Sequence, residues 1–367
     1  RLFHLRKMTE IAAKRLTLIW RYGIIKLTEI KCDILKLLHI QFRILERKDM
    51  IFQMAIFKLE PAFKDYIWGG TRLRDEYGKK CDYDKVAESW ELSCHKDGAS
   101  TVADGEDKGL TLEQYIEKHG KKVLGSDCEK FENFPILIKL IDAKDNLSVQ
   151  VHPDNEYAMR VEGEYGKTEM WYVVDADPGA TLLYGFKHEI SKDEFAKRIA
   201  DNTLLEVTNA VPVKKGDVFF IQAGTLHAIG KGILIAEIQQ NSNTTYRIYD
   251  YGRVGKDGKP RELHVEKAKD VTKLAPAQQY PDTPVEKFEG YTGKLLASCD
   301  YFTTYALDIN GSAKLNADEK SFNSILVLEG ECTVGGVKAA KGDSVFVSAG
   351  TGEYAVEGCC KAVLTKV

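Results

Sequence analysis

Three polar side chains alternate with apolar ones in the stretch LSVQVHP, residues 147–153. Successive side chains of a strand point to opposite faces, so Ser148, Gln150 and His152 would share one face of a strand. The alternation by itself also fits a strand with one side in water. The proline after His152 favours an extended backbone at that residue, which would fix the direction of its imidazole.

Two further residues could act together with this strand. Glu169 begins the apolar run EMWYVVDA, and His227 follows a Gly-Thr turn in AGTLHAIG. With Gln150 and His152 they form a set of four nitrogen and oxygen donors, which suits a borderline divalent cation, zinc before others. Each residue alone has a plainer explanation, such as a buried histidine bonded to the backbone. Because burying all four without a partner would be costly, the set predicts a metal site.

Short apolar or alternating runs dominate the chain from Met54 onward, and many are separated by glycine-bearing turns. This pattern predicts a mainly β protein, built as a sandwich or barrel. The clearest strands are predicted at 134–143, 169–176, 217–224 and 233–240.

Helical signals are fewer than strand signals. The segment SKDEFAKRIADN (191–202) begins with Ser191 and carries Glu194 three residues later, which predicts a capping box. Helical spacing extends over 262–274, and Asp154 is placed to cap a short helix after the strand that contains Gln150.

An internal repeat divides the chain into two related β-sandwich units. KGDVFFIQAGTLH (215–227) recurs as KGDSVFVSAGTGE (341–353). In the second copy Glu353 replaces His227, and the counterpart of Glu169 is Asn323. We therefore expect one metal per chain, in the first unit.

The predicted domains follow from this repeat. The first unit spans 54–274, a proline-rich linker spans 275–286, and a small β domain without metal ligands spans 287–367. Residues 1–53 are predicted to be a basic extension outside the fold. Residues 1–50 contain twelve Lys and Arg against five Asp and Glu, so an organelle presequence is an open alternative.

Composition limits the classes of partner. Beyond residue 50 the chain has 40 basic and 50 acidic residues, a formal charge of −10, which gives no footprint for nucleic acid. No apolar run has the length of a membrane span. The eight cysteines form no CxxC pair and are read as reduced thiols. We expect a cytoplasmic protein with a small-molecule substrate, present as a monomer or weak homo-oligomer, without nucleic-acid or membrane partners.

Longer motifs carry a family resemblance. They include AFKDYIWGGTRL, ESWELS, LIKLIDAKDNLSVQVHPDNEYA, GKTEMWYV, IQAGTLHAIGKGILIAEIQQNSNTTYRIYDYGR and RELHVEKA. The chain resembles the short bacterial form of type I mannose-6-phosphate isomerase from about Met54 to about Leu274, and more weakly beyond. The resemblance implies two cupin-like jelly-roll units, one zinc ion, and interconversion of mannose 6-phosphate and fructose 6-phosphate.

The resemblance also implies roles for single residues. Gln150, His152, Glu169 and His227 fall on the zinc ligands of the family, and Arg247 falls on its catalytic arginine. Ser148, Lys139 and Lys167 match positions associated with substrate binding, and Glu237 matches a carboxylate ten residues before the arginine.

Isomerisation of an aldose to a ketose moves a proton between C1 and C2, here through a cis-enediol, and needs a base and a positive centre. Glu237 is the first candidate for the base. The alternatives are a metal-bound water and a neutral lysine, Lys167. The sequence alone does not decide which of these groups is the base. Arg247 would stabilise the enediolate.

The chain departs from the family pattern in ELSCHKDG, where Cys94 and Lys96 stand at places usually held by Ala and Pro. Two other functions fit parts of the pattern. An iron-dependent cupin oxygenase would use two histidines and a carboxylate, but it needs open coordination, which a fourth ligand at Gln150 disfavours. A non-catalytic cupin that senses sugar phosphates would normally carry a DNA-binding module, and residues 1–50 show no helix-turn-helix.

Overall fold

The computed structural model describes residues 56–255 and 258–367. The strands up to residue 249 are β1 (Ile56–Glu60), β2 (Ala62–Lys64), β3 (Glu88–Leu92), β4 (Thr101–Val102), β5 (Ile136–Ala143), β6 (Val149–Val151), β7 (Glu169–Ala176), β8 (Thr181–Phe186), β9 (Thr208–Pro212), β10 (Val218–Ile221), β11 (His227–Ala228), β12 (Ile233–Gln240) and β13 (Tyr246–Tyr249). The later strands are β14 (Val285–Phe288), β15 (Tyr291–Ser298), β16 (Thr303–Ala317), β17 (Asn323–Val334), β18 (Val337–Ala340), β19 (Ser344–Val347) and β20 (Gly352–Lys366). The α-helices in these ranges are short: α1 (Arg72–Asp75), α2 (Leu112–His119), α3 (Asn155–Val161), α4 (Lys192–Ala200) and α5 (Val265–Val271).

The first part of the chain folds into a sandwich of two antiparallel sheets. One sheet has six strands in the order β10-β7-β12-β5-β3-β2, and the other has five in the order β13-β6-β11-β8-β9. Their apolar side chains share one core, in which Trp171 and Ile235 of the larger sheet join Leu182 and Tyr184 of the smaller. The predicted mainly β architecture is confirmed.

The registers of the two sheets place polar residues in two rows. In the larger sheet Trp90 pairs with Lys139, Lys139 with Glu237, and Glu237 with Trp171. In the smaller sheet Gln150 of β6 pairs with His227 on one side and with Arg247 on the other. Because side chains of directly paired residues point to the same face of a sheet, each row presents its functional groups together.

The last part of the chain forms a third sheet. It has nine strands, and its main path runs β14-β15-β16-β20-β17-β19-β1-β4, with β18 beside β17. The first described strand therefore lies in this sheet, where Phe57 of β1 pairs with Phe346 of β19. The predicted domain boundaries at residues 274 and 287 stay predictions. Because β1 and β4 belong to the third sheet, strands from the beginning of the described chain complete the sheet formed by its last part.

The two copies of the repeat have the same local structure. In the first, β10 lies beside β7 and Ile221 pairs with Glu169; in the second, β19 lies beside β17 and Val347 pairs with Asn323. Residues 221 and 347 occupy the same place in the two repeat sequences. The register therefore supports Asn323 as the counterpart of Glu169.

The helix caps were predicted in part. The Asp154 side chain accepts a hydrogen bond from the Tyr157 amide and begins α3, as expected. The predicted capping box at Ser191 is half correct: Ser191 accepts from the Glu194 amide, whereas the Glu194 carboxylate accepts from Arg198. The arginine one turn on competes for that carboxylate.

Other predictions concern the thiols, the termini and the membrane. The seven cysteines of the described ranges are all free. The predicted extension, residues 1–53, lies outside the described residues. None of the described helices is long and apolar enough to cross a membrane.

Candidate metal centre and active site

Four predicted ligands meet between the two sheets of the sandwich. Nε2 of His152 lies 3.1 Å from Nε2 of His227 and 3.7 Å from Oε2 of Glu169. Nε2 of His227 lies 3.4 Å from Oε1 of Glu169 and 3.4 Å from the side-chain nitrogen of Gln150. The ligand atoms of His152, Glu169 and His227 all lie within 4.8 Å of one another, so one ion could contact all three.

Backbone carbonyls fix the orientation of both imidazoles. Nδ1 of His152 lies 2.8 Å from the Thr244 carbonyl oxygen, and Nδ1 of His227 lies 2.8 Å from that of Thr225. A carbonyl can only accept, so each Nδ1 carries the proton and each Nε2 presents a lone pair. Burial lowers the pKa of His227 to about 4, and burial together with the charge of Lys167 lowers the pKa of His152 well below its usual value.

This donor set fits a divalent cation. Two lone pairs face each other at 3.1 Å, and Oε1 of Glu169 is buried without a hydrogen bond. A buried acceptor without a partner is costly, and a cation between the three groups would satisfy all of them. Two neutral imidazoles and a carboxylate are donors typical of zinc and other borderline metals.

Buried lysines and carboxylates lie next to the candidate ligands. The Lys167 ammonium lies 2.5 Å from Oε2 of Glu169 and 3.2 Å from Nε2 of His152. Lys139 lies between two carboxylates, 3.2 Å from Glu237 and 3.7 Å from Glu88. All of these side chains are less than a tenth exposed, so each buried charge has an opposite charge beside it, as burial requires.

These contacts shift the carboxyl groups in opposite directions. Burial and the charge of Glu237 raise the pKa of Glu169 to about 7. Burial also acts to raise the pKa of Glu237, but the ammonium groups of Lys167 and Lys139 outweigh it and lower that pKa to about 2. The same carboxylates, Glu88 and Glu237, outweigh burial at Lys139 and raise its pKa.

Two tryptophans hold the carboxylates of the larger sheet. The indole N–H of Trp171 donates to Oε2 of Glu237 at 2.8 Å, and that of Trp90 donates to Oε2 of Glu88 at 2.7 Å. Because indole side chains this deeply buried cannot move freely, they fix the direction of both carboxylates.

A cleft of about 240 Å³ leads to this centre. Its walls include the five residues predicted to bind substrate or to act in catalysis: Lys139, Ser148, Lys167, Glu237 and Arg247. The predicted metal ligand Gln150 also lines the cleft. Ser148 donates to the Gln150 oxygen at 3.3 Å, and both side chains line the cleft.

Arg247 lies at the wall of the cleft, with its main chain held on both sides. Its amide donates to His264 Nδ1 and its carbonyl accepts from the His264 amide, while one guanidinium N–H donates to the Glu262 carbonyl at 2.8 Å. Its Nε is buried without a hydrogen bond. The carboxylate of Asp250 accepts from Arg253 and Arg261.

Sequence reasoning assigned no role to nine residues of the cleft wall, of which six are polar or aromatic: Tyr66, Trp68, Glu88, Asn243, Thr245 and Arg261. Glu88 had a usable signal, because it alternates with Trp90 in ESWEL and both therefore share a strand face. Arg261 and Asn243 lie in loops, where no periodicity indicates which side chains point inward.

Comparisons with known proteins agree with this geometry. Residues 56–178 match the family described as phosphomannose isomerase type I, catalytic domain, and residues 292–367 match the mannose-6-phosphate isomerase cupin domain. The chain is 42% identical over 293 residues to the mannose-6-phosphate isomerase of Streptococcus mutans, covering 79% of this chain and 91% of that protein. It is 39% identical over 311 residues to mannose-6-phosphate isomerase ManA of Bacillus subtilis, covering 83% and 97%.

A solved structure shows the same fold. The crystal structure of the mannose 6-phosphate isomerase from Bacillus subtilis matches with a TM-score of 0.81 and 36% sequence identity, covering 86% of this chain and 100% of that one. The resemblance inferred from the motifs is confirmed, including the cupin architecture. The chain therefore belongs to the type I phosphomannose isomerase family and is an enzyme of that family.

Proposed function

We propose that this enzyme interconverts mannose 6-phosphate and fructose 6-phosphate through a cis-enediol, with one zinc ion held by Gln150, His152, Glu169 and His227. The observation that carries the proposal is the buried His152–Glu169–His227 group, whose ligand atoms lie within 4.8 Å of one another at the inner end of a cleft lined with lysine and arginine. Bound there, zinc would polarise the sugar oxygens and offset the negative charge that develops on them.

The charges of the site suit a phosphorylated sugar. Within the buried centre, Lys139 and Lys167 face Glu88, Glu169 and Glu237, a formal charge of −1, which a divalent cation would reverse to +1. Arg247 and Arg261 add two positive charges to the cleft wall. Because opposite charges attract ligands into a cleft, a phosphate dianion is favoured over a neutral sugar.

Proton transfer between C1 and C2 requires a base at the wall of the cleft. Glu237 is the first candidate, since it lines the cleft and its Oε1 lies 3.2 Å from the Lys139 ammonium, a group with which it could share a proton. Its pKa of about 2 makes it a weak base at neutral pH. Lys167, whose ammonium lies 3.6 Å from Oε1 of Glu237, is therefore the second candidate, and the two groups could share one proton.

Arg247 is proposed to stabilise the enediolate. Burial and the charge of Arg261 lower its pKa, but an arginine stays cationic at every working pH. Its Nε, buried and without a partner, leaves a donor available for a substrate oxygen. Ser148 and Lys139 are proposed to bind sugar oxygens on the opposite walls of the same cleft.

Isotope exchange tests the enediol. The full-length protein is incubated with mannose 6-phosphate in D₂O until the reaction has reversed many times, and both sugars are analysed by NMR. Proton transfer through a base predicts deuterium at C2 of mannose 6-phosphate and at C1 of fructose 6-phosphate. Equilibrated sugars that carry no deuterium would contradict the cis-enediol.

Metal replacement tests the cofactor. Chelator-treated protein should lose its activity and recover it with one equivalent of zinc per chain. Recovery with ferrous iron and dioxygen consumption, without zinc activity, would support the oxygenase alternative instead. Glu237→Gln and Lys167→Met, assayed for exchange in the zinc-loaded form, then distinguish the two candidate bases.

A further inference from the structure

A second polar cluster lies beside the centre and contains none of its ligands. In this Glu164 cluster, consisting of His95, Lys96, Glu164 and Thr244, one carboxylate joins three separate segments of the chain. Lys96 Nζ lies 2.7 Å from Glu164 Oε1, and the Thr244 hydroxyl donates to Glu164 Oε2 at 3.4 Å.

His95 is the buried member of the Glu164 cluster. Its Nδ1 accepts from the Asp97 amide at 3.1 Å, so its Nε2 carries the proton and faces Glu164 Oε2 at 3.6 Å. His95 is only 5% exposed. Asp97 in turn accepts from the Asn243 side chain at 2.8 Å. The loop that follows β3 therefore holds residues 243 and 244 through two carboxylates.

Those two residues lead directly to the metal centre. The carbonyl of Thr244 accepts the Nδ1 proton of His152 at 2.8 Å, and it thereby determines where Nε2 of His152 points. Asn243 and Thr245, on either side, line the cleft. A displacement of this segment would turn the imidazole and move the cleft wall together.

The energetics decide which member of the cluster matters most. Lys96 is 73% exposed, and an exposed ion pair contributes only about 0–1 kcal/mol. Glu164 is 20% exposed and accepts from the hydroxyl of Thr244, so its removal leaves that donor without its acceptor. A proline at position 96, the residue that the family pattern favours, could not form the ion pair.

We propose that Glu164 is a positioning residue, which holds the Asn243–Thr244 segment so that the Thr244 carbonyl orients His152 for metal binding. The inference rests on the proposed metal site. Groups that orient a metal ligand through its second ring nitrogen typically change metal affinity by about 10–100-fold when they are lost. We expect a change of that size for Glu164→Ala.

The test uses cobalt-loaded full-length protein and its visible absorption. Glu164→Ala should release cobalt to a chelator about 10–100 times faster than the parent protein, with an altered absorption band because the His152 direction changes. Glu164→Gln keeps an acceptor for Thr244 and should be intermediate. Lys96→Met should change the release rate by at most about fivefold. Glu329→Ala is the matched control, because that carboxylate also joins two other segments of the chain, through Lys215 and Lys361.

Each outcome has one meaning. If Glu164→Ala and Glu164→Gln both release cobalt at the parent rate with the parent spectrum, the positioning role is wrong. Faster release with an unchanged spectrum, shared by Glu329→Ala, would indicate general loosening of the fold and would also overturn it. A parent protein that takes up no metal would instead overturn the proposed metal site, and that result is seen before any variant is made.

Discussion

The two copies of the internal repeat use the same strand pairing for different purposes. In the first, the register that pairs Ile221 with Glu169 places a carboxylate between the sheets. In the second, the equivalent register pairs Val347 with Asn323. The Asn323 amide donates to the Tyr354 hydroxyl at 2.8 Å and to the Asn316 carbonyl at 3.0 Å. The first unit leaves an acceptor for a cation, whereas the second satisfies its polar group internally.

The contrast extends to the buried charges. Among the described residues from 287 onward, the buried polar side chains carry only hydroxyl or amide groups, whereas the first unit buries Lys139, Lys167, Glu169 and Glu237. Because buried charges are stable only with partners, the first unit depends on its polar network. The difference teaches that a few side chains, on a shared backbone frame, distinguish the candidate centre of the first unit from the second unit.

The largest expected effect comes from deleting ligands of the first unit. His152→Ala and His227→Ala should each release the metal and lower kcat by more than about 10³-fold, because the loss combines metal binding with charge stabilisation. Elemental analysis and a coupled isomerase assay measure both. Variants that keep full metal and full activity would show that the buried group is not the site.

Arg247→Ala should lower kcat by roughly 10²–10³-fold, because one electrostatic contact with the developing charge is lost, while KM changes little and the metal stays bound. Arg247→Lys should recover part of that loss, since it restores a charge without the planar fork. Arg198→Ala removes an arginine that pairs with Glu194 and Glu206 at the surface, and it serves as the control. A raised KM at constant kcat would assign Arg247 to phosphate binding instead.

Asn323→Ala tests the second unit. It removes the donor to the buried Tyr354 hydroxyl, so the free energy of unfolding in urea should fall by about 1–3 kcal/mol. Metal content and kcat should not change. A loss of metal at constant stability would contradict the separation of roles between the units.

The smallest expected effect is on the pH dependence of stability, through the carboxylate of Glu329. Hydrogen bonding from Lys215, opposed by burial and reinforced by Lys361, lowers the pKa of Glu329. A lowered folded-state pKa stabilises the protein above the pKa of the unfolded chain, and this contribution is lost as pH falls through the folded pKa. Glu329→Gln should therefore lower the free energy of unfolding by less than about 1 kcal/mol at pH 7, and it should not lower it in acid. Urea titrations at several pH values measure this difference. If the variant loses the same free energy of unfolding at all pH values, the charge of Glu329 is not the cause of the loss.

The sequence predicted most of the fold because the fold depends on periodicity, and it named the residues that the structure brings together in the candidate centre. Two of the four clearest predicted strands, 169–176 and 233–240, have the predicted bounds in β7 and β12, since long apolar runs leave little choice. Alternation correctly placed Ser148 and Gln150 on the cleft face. The repeat indicated which unit had kept a carboxylate at position 169.

The sequence did not predict the pairing of strands that are distant along the chain, or the directions of side chains in loops. Nothing local shows that β1 completes the sheet of the last segment, because strand pairing depends on contacts nearly 300 residues apart in the chain. The Thr111–Gln114 capping box and the inward direction of Arg261 were also missed. In loops, side-chain direction follows from tertiary contacts and not from a period.

The most direct test converts the first unit into the second. Zinc per chain is measured by elemental analysis in the full-length parent and in a Glu169→Asn, His227→Glu double variant, with circular dichroism to check folding. The account predicts about one zinc per parent chain and almost none in the folded variant. A folded variant that retains its zinc would contradict the claim that these side chains make the metal centre.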